Sequence, residues 1–164
     1  ALDIIAAGVG ATGSPLSYAN CQVAISGSAG IVGVANLFPA DSMRHETLLP
    51  MVLDRFERIR PMLQLQDWGS MFLNAIAVAD SHRGKGIGTG LIDWAEACTR
   101  QAGLPRLSLH VWADNVPAIR LYKRRGFVEV GIAELAPTPG LPHSGGSLLM
   151  QKILPGPAAG QSPA

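Results

Sequence analysis

The residues best suited to chemistry form the stretch RGKGIG at positions 83–88. A short apolar run at 71–79 precedes it and is typical of a buried strand, and apolar residues recur every three or four positions from 87 to 102, which predicts a helix. A strand that turns through glycines into a helix directs unpaired backbone N–H groups and the positive helix end at one point. Arg83 and Lys85 add positive charge there. The stretch therefore predicts a site for a phosphorylated cofactor.

Two other kinds of glycine loop fit this sequence poorly. A nucleoside-triphosphate loop needs Ser or Thr directly after Gly-Lys, where this chain has Gly86. A dinucleotide fingerprint would need glycine at position 89, which is Thr89. Its spacing does occur at residues 8–13, but Pro15 interrupts the helix that should follow, and no acidic residue lies at positions 4–40 to hold a ribose. NAD is therefore disfavoured as the cofactor.

A second pattern lies at residues 115–127 (NVPAIRLYKRRGF), after a predicted strand at 107–112. Asp114 or Asn115 can cap a helix at its start, and Pro117 suits the first turn of that helix. Gly126 can end the helix in the left-handed conformation. The sequence thus predicts a second strand and helix beside the phosphate loop.

Together, RGKGIG and the downstream NxxAxxLYxxxGF pattern closely resemble the GNAT superfamily of N-acetyltransferases, chiefly over residues 73–131. The resemblance implies an enzyme that moves the acetyl group of acetyl-CoA to a primary amine by direct attack in a ternary complex. It also implies an α/β (α+β) fold with a mixed, mostly antiparallel sheet, flanking helices and a central parallel strand pair that splays apart. A non-catalytic CoA-binding sensor or interaction module is the alternative.

The resemblance also assigns the cofactor site. Backbone groups of the strand before the loop would pair with the pantetheine arm, and one of their N–H groups would polarise the thioester carbonyl. Tyr122 matches the family's general acid, which protonates the departing thiolate, although an aromatic core residue would look the same. Asn115 would contact the cofactor arm or serve only as a helix cap. The implied cofactor-binding residues are Ile76, Ala77, Val78, Arg83, Gly84, Lys85, Gly86, Ile87, Gly88, Thr89, Asn115, Ala118 and Tyr122.

The general base is not evident, although direct transfer requires a neutral amine. Many members of the family place Glu four residues before the position that matches Val78, and this chain has Asn74 there, which cannot take a proton. We expect a water held by Asn74, with His110 on the neighbouring strand as the titrating contributor, although an isolated strand histidine is more often structural. The sequence does not place four further candidates, Asp41, His45, Glu46 and His82.

The composition agrees with one enzyme domain. We expect a single domain over residues 1–153, with incomplete N-terminal elements, followed by a flexible Pro/Gly/Ala-rich tail at 154–164. A net charge of +1 predicts no nucleic-acid partner, and no apolar run is long enough to predict a membrane span. Cys21 and Cys98 have no metal-ligand spacing and are expected to be reduced thiols. We expect a cytoplasmic enzyme without a metal, and a homodimer is left open.

The remaining elements are predicted from periodicity. Strands are expected at 21–26 and 30–38, joined by a hairpin, and at 127–133 and 147–153, with a helix at 48–59 that Pro61 ends. The amine acceptor should lie between the segment before Cys21, this helix and the loop at 135–146. That loop has no acidic residue, which argues weakly against polyamines. Small molecules, amino acids and peptide or protein amines remain open as acceptors.

Overall fold

The computed structural model describes residues 9–44, 53–136 and 143–155. The helices in this part of the chain are α1 (Leu53–Gln64), α2 (Ile87–Gln101) and α3 (Val116–Arg124). The strands are β1 (Cys21–Ser26), β2 (Gly30–Pro39), β3 (Met71–Val78), β4 (Arg106–Trp112), β5 (Val128–Ala133) and β6 (Ser147–Ile153). The predicted strands and the helices that begin near residues 87 and 116 are therefore confirmed to within one or two residues.

The strands form one mixed sheet in the order β1-β2-β3-β4-β6-β5. Every neighbouring pair is antiparallel except β3 and β4, which are parallel and connected through α2. A parallel pair requires such a crossover connection, whereas the β1–β2 hairpin closes through a short turn at Gly27–Ala29. The predicted mostly antiparallel sheet with one central parallel pair is confirmed.

The parallel pair separates soon after it begins. β3 and β4 are in register only from Met71 opposite Leu107 to Leu73 opposite Leu109. Beyond this point β3 remains paired with β2, and β4 with β6, so each strand has one unpaired edge that faces the other. The predicted splay is therefore present, and it opens a gap in the middle of the sheet.

A β-bulge lies at the start of this gap. Asn36 of β2 is opposite Ala75 and the next residue of β2, Leu37, is opposite Leu73, so Asn74 has no partner in the register. A bulge bends its strand and changes the direction of a side chain, and bulges are common beside active sites. Asn74 accordingly lies at the point where β3 turns away from β4.

The main core lies between the sheet and helices α2 and α3. Leu91, Ile92 and Ala95 of α2 pack with Leu107 and Leu109 of β4, and each of these five side chains is at least 96% buried. Burying side chains of this size stabilises a domain by roughly 1.5–3 kcal/mol each. The amphipathic pattern that predicted α2 therefore directs its apolar face onto the two strands that form the gap.

One charged residue is buried in this layer and joins three elements. The carboxylate of Glu96 on α2 accepts hydrogen bonds from Lys152 of β6 at 2.5 Å, from Arg100 at 3.1 Å and from Arg125 after α3 at 3.4 Å. Burial acts to raise the pKa of Glu96, but the three cations outweigh it and the pKa is lowered. A buried charge with several partners avoids the penalty of an unpaired one.

The predicted end of α1 is wrong. Pro61 lies inside the helix, which continues to Gln64, and the Pro61 carbonyl accepts a hydrogen bond from the N–H of Leu65 at 3.1 Å. Proline removes its own N–H donor and crowds the carbonyl four residues before it, but the donors after it are intact, so the helix continues to Gln64. The first five residues of the predicted helix, 48–52, lie outside the described residues.

Candidate active site

A cleft of about 1160 Å³ occupies the gap between β3 and β4. Its size slightly exceeds the usual range for small-ligand sites, about 300–1,000 Å³, as an extended ligand would require. Lys85 is exposed and does not line it. The other residues assigned to the cofactor site and to the first catalytic candidates do line it, namely Asn74, Ile76, Ala77, Val78, Arg83, Gly84, Gly86, Ile87, Gly88, Thr89, His110, Asn115, Ala118 and Tyr122.

The glycine loop has the geometry of an anion site. Gly84 and Gly86 adopt positive φ angles of 74° and 83°, a conformation that other residues rarely take, and a Cβ at either position would project into open space. The first hydrogen bond of α2 joins Gly90 N–H to Gly86 C=O at 2.9 Å, so the N–H groups at 87–89 precede the helical ladder. These donors and the helix dipole fit a pyrophosphate group.

Arg83 beside the loop is paired rather than free. Its guanidinium lies 2.8 Å from the Asp80 carboxylate, and the two side chains are 70% and 87% exposed. Ion pairs this exposed contribute little, so a phosphate can replace Asp80 as the partner of Arg83. Among the described residues no group of three or more His, Cys, Asp or Glu side chains could hold a metal ion.

The strand edges in the gap fit an amide-bearing ligand. Residues 75–78 of β3 pair with β2 on one edge, whereas their other edge has no strand beside it. Each residue of a strand presents N–H and C=O groups that need partners, and an extended ligand with amide groups can supply them as an added strand. The arrangement suits the pantetheine arm that the family resemblance implies at Ile76, Ala77 and Val78.

Tyr122 lies at the inner end of α3 with its ring in the core. The side chain is 5% exposed and packs edge-on against Phe127, with ring centroids 5.7 Å apart. Burial raises the pKa of the Tyr122 hydroxyl to about 12. No residue in the described part of the chain hydrogen-bonds this hydroxyl, although Tyr122 lines the cleft. A protonated phenol is therefore available to donate a hydrogen bond to a ligand.

Asn115 serves as the N-cap of α3. Its Oδ1 accepts a hydrogen bond from the N–H of Ala118 at 3.3 Å, and Pro117 occupies the first turn. Gly126 follows the helix with a φ of 84°. The capping role of Asn115 is thus confirmed, and its contact with a cofactor stays a prediction.

Both ring nitrogens of His110 have partners. Nε2 lies 2.7 Å from the carbonyl oxygen of Leu65, so it carries the proton and donates it, and Nδ1 lies 3.1 Å from the Ser147 hydroxyl. Burial lowers the pKa of His110, and the hydrogen bond to Leu65 opposes that shift. The ring lines the cleft, yet its contacts are those of a structural histidine. Its part in catalysis stays a prediction.

The other candidate bases are placed less favourably. Asp41 accepts hydrogen bonds from Gly69 N–H at 2.8 Å and from Arg44 at 2.6 Å, and these two contacts lower its pKa. Asp41 does not line the cleft, whereas His82 lines it beside the phosphate loop. The remaining two, His45 and Glu46, lie outside the described residues.

The rim of the cleft carries an acidic residue that the sequence analysis considered only as a helix cap. Asp114, just after β4, lies 2.9 Å from Nδ1 of His143 and accepts a hydrogen bond from Ser144 N–H at 2.8 Å. These two contacts lower the pKa of Asp114, with Ser144 contributing the most. The His143 ring stacks on Trp112 at 5.0 Å. The loop sequence has no acid, but the fold brings one to it from another element, so the rim is less acid-poor than the sequence indicated.

The splayed parallel strand pair and the glycine loop at a helix N-terminus are the fold features of the acyl-CoA transferases that the sequence resembles. The model of the Acetyltransferase (GNAT) family matches residues 18–127. The chain belongs to the GNAT acetyltransferase family.

Curated relatives match over part of the chain. Streptothricin acetyltransferase of Streptomyces lavendulae is 46% identical over 57 residues, which are 35% of this chain and 30% of that protein. The chloroplastic GCN5-related N-acetyltransferase 4 of Arabidopsis thaliana is 35% identical over 88 residues, which are 54% of this chain and 30% of that protein. The match thus spans less than a third of the length of these two relatives.

Solved structures share the fold. A crystal structure of an acetyltransferase superimposes with a TM-score of 0.66 at 23% identity, covering 93% of this chain and 79% of that one. A putative streptothricin acetyltransferase from Bacillus anthracis, solved in complex with acetyl coenzyme A, gives a TM-score of 0.58 at 18% identity and covers 82% of this chain and 62% of that one. At these identities the likeness concerns the fold.

Two further features of the described residues bear on earlier expectations. Cys21 and Cys98 are both free thiols, as predicted. None of the helices that the structure describes combines the length and apolar character that crossing a bilayer would take.

Proposed function

We propose that this protein transfers the acetyl group of acetyl-CoA to a primary amine by direct attack in a ternary complex. The observation that carries the proposal is the gap between β3 and β4, because it brings an unpaired strand edge, the glycine loop and Tyr122 onto one cleft. The loop would hold the pyrophosphate and the strand edge the pantetheine arm. The bound cofactor supplies an activated acetyl thioester.

A backbone N–H of the unpaired β3 edge supports attack on the thioester. A fixed N–H beside the developing oxyanion stabilises the transition state because it needs no reorganisation during the reaction. N–H groups alternate between the two edges of a strand, so some but not all of Ile76, Ala77 and Val78 direct theirs toward β4. They therefore supply the candidate donors.

Tyr122 acts on the leaving sulfur. Its pKa of about 12 lies above that of an ordinary thiol, about 8.5, by some three to four units. Complete proton transfer to an unperturbed thiolate would then be uphill by roughly 4–5 kcal/mol. We therefore assign Tyr122 as a hydrogen-bond donor to the developing thiolate, and as its proton source where the cleft raises the pKa of the thiol as well.

The amine loses its proton without a carboxylate at the Asn74 position. We propose that a water between the splayed strands takes this proton and passes it to the bulk solvent. Asn74 is exposed in the cleft, where it can contact that water. His110 is less suited to accept the proton of the amine than its place in the sequence indicated, because Leu65 and Ser147 already contact both of its ring nitrogens.

The acceptor lies on the side of the cleft walled by Trp112, Asp114 and His143. A planar aromatic surface beside a carboxylate suits an amine with an apolar or ring-bearing neighbour, since both groups attract cations. Two relatives carry the name streptothricin acetyltransferase, and this supports a small-molecule acceptor for the present chain. We favour a small-molecule amine, and peptide amines are the competing class.

A panel of amines tests the proposal. Release of free thiol from acetyl-CoA is measured with small amines, amino acids, polyamines and peptides with free N-termini, and the acetylated product is confirmed by mass spectrometry. Amine-dependent thiol release is expected. Acetyl-CoA that raises the melting temperature without thiol release from any amine would support the CoA-binding sensor instead.

A further inference from the structure

A buried amide lies directly behind the cleft, on the neighbouring strand. Asn36 of β2 is 6% exposed, and its Nδ2 lies 3.2 Å from the carbonyl oxygen of Pro15 and 3.3 Å from that of Asn20. Backbone carbonyl oxygens only accept hydrogen bonds, so the amide nitrogen of Asn36 must face them. The orientation of this side chain therefore follows from its neighbours, and its oxygen must point the other way.

That oxygen determines the orientation of a second amide. Oδ1 of Asn36 lies 2.9 Å from Nδ2 of Asn74, and an oxygen that can only accept requires the nitrogen of Asn74 to face it. Oδ1 of Asn74 is then the atom that remains available. Within residues 9–44, 53–136 and 143–155, nothing donates a hydrogen bond to it, and Asn74 lines the cleft.

We propose that Asn36 is a positioning residue that holds Asn74 with its oxygen available to the cleft, where this oxygen accepts a hydrogen bond from the reacting nitrogen of the acceptor. The inference rests on the proposed amine transfer and adds to it how the nitrogen is recognised. An amine can donate a hydrogen bond to the amide oxygen of Asn74. An ionised carboxylate or phosphate has no donor, so its oxygens would be repelled by the lone pairs of the amide oxygen. The pair of hydrogen-bonded amides, Asn36 and Asn74, is called the relay below. It selects a ligand that donates a hydrogen bond at this point of the cleft.

The relay also connects the cleft to the segment before β1. The carbonyl of Pro15 accepts a second hydrogen bond, from Nδ2 of Asn20 at 3.2 Å, and Nδ2 of Asn36 lies 3.5 Å from Sγ of Cys21. Asn74 is the bulged residue of β3, so strand pairing alone does not direct its side chain. The turn at residues 15–20 therefore orients a group in the cleft through a single buried side chain.

Two substitutions of Asn36 separate its effect on the orientation of the Asn74 amide from its effect on the stability of the fold. Asn36→Leu removes the acceptor that faces Asn74, so the Asn74 amide can rotate, and we expect KM for the amine to rise about tenfold, the effect of losing one hydrogen bond. Asn36→Asp keeps an oxygen toward Asn74 but, when ionised, loses donation to the two carbonyls. We expect it to lower the melting temperature while KM stays within about twofold of wild type.

Cys21→Ala is the matched control, because it removes a contact of Asn36 without changing the orientation of the amide. We expect it to leave KM for the amine unchanged. Asn36→Leu with wild-type kinetic constants would overturn the orienting role. A fall in kcat at constant KM would overturn direct contact with the nitrogen and leave the Asn74 oxygen in contact only with the water of the proposed function.

A measurement without substrate distinguishes failure of this inference from failure of the proposed function. In side-chain amide NMR, the Nδ2 protons of Asn74 should exchange slowly with solvent in the wild type and in Asn36→Asp, and rapidly in Asn36→Leu. The resonance is assigned from its loss in Asn74→Ala. Equal exchange in wild type and Asn36→Leu would contradict the relay even if the enzyme acetylates amines. The expected difference would support the relay even if the amine panel failed.

Discussion

Replacing Tyr122 with phenylalanine removes one hydroxyl from the cleft and leaves the aromatic ring in the core. The ring is buried and packs against Phe127, and neither its burial nor this contact depends on the hydroxyl. No described residue hydrogen-bonds the hydroxyl, so the substitution leaves no buried partner unsatisfied. The variant should therefore fold normally and bind acetyl-CoA with nearly unchanged affinity.

The expected loss of rate follows from the chemistry of the phenol. General acid catalysis typically contributes about 10²–10⁴-fold, but it is most effective when the pKa lies near the working pH. Burial moves the pKa of Tyr122 to about 12, which favours hydrogen-bond donation over full proton transfer. A hydrogen bond to a charged group contributes about 1.5–3 kcal/mol, so we expect kcat to fall about 10- to 150-fold.

Steady-state thiol release with the best amine of the panel measures this effect. The ratio of wild-type to Tyr122→Phe kcat should stay constant between pH 6 and pH 9, because a phenol with a pKa of about 12 remains protonated throughout. Tyr18→Phe is the matched control: Tyr18 is 64% exposed and does not line the cleft, so its rate should equal that of wild type.

Two results would refute this reasoning. An unchanged kcat in Tyr122→Phe would show that the residue only fills the core. A ratio that falls toward one between pH 8 and pH 9 would show that the hydroxyl ionises there, which contradicts the effect of burial.

Two further perturbations test the loop and the histidine. Gly86→Val should abolish the rise in melting temperature that acetyl-CoA causes, because Gly86 has a φ of 83° within the phosphate loop. Gly103→Val is the control, because Gly103 has a φ of 67° just after the C-terminal end of α2, away from the phosphate loop. This variant should keep the rise in melting temperature with acetyl-CoA. Loss of the rise in both variants would point to misfolding. Burial lowers the pKa of His110 in the folded protein below its ordinary value of about 6.5. Above that pH the neutral ring contributes fully to the stability of the fold. This contribution is lost as the pH falls through the folded-state pKa of His110. His110→Asn should therefore lose less stability than wild type between pH 7 and pH 5 in denaturant unfolding, and parallel pH dependence in the two proteins would contradict this.

The sequence by itself was sufficient for the features that depend on neighbouring residues. The periodicity after residue 87, the glycines of the loop and the capping of α3 by Asn115 each act within a few positions, and the structure shows each of them. The family resemblance added the splayed strand pair. Local reasoning was wrong at Pro61, where the helix continues because the N–H donors after the proline remain intact.

Tertiary structure decided which polar groups meet. Asn36 and Asn74 are 38 positions apart, His110 and Leu65 are 45 apart, and Asp114 and Ser144 are 30 apart, yet each pair shares a hydrogen bond. Strand order and a single-residue bulge set these contacts, and neither leaves a local pattern in the sequence. A hydrogen bond depends on tenths of an ångström, whereas periodicity indicates only the face of an element. The amino-acid sequence therefore determined the elements and the family, and the packing of those elements decided the direction of each amide and ring in the cleft.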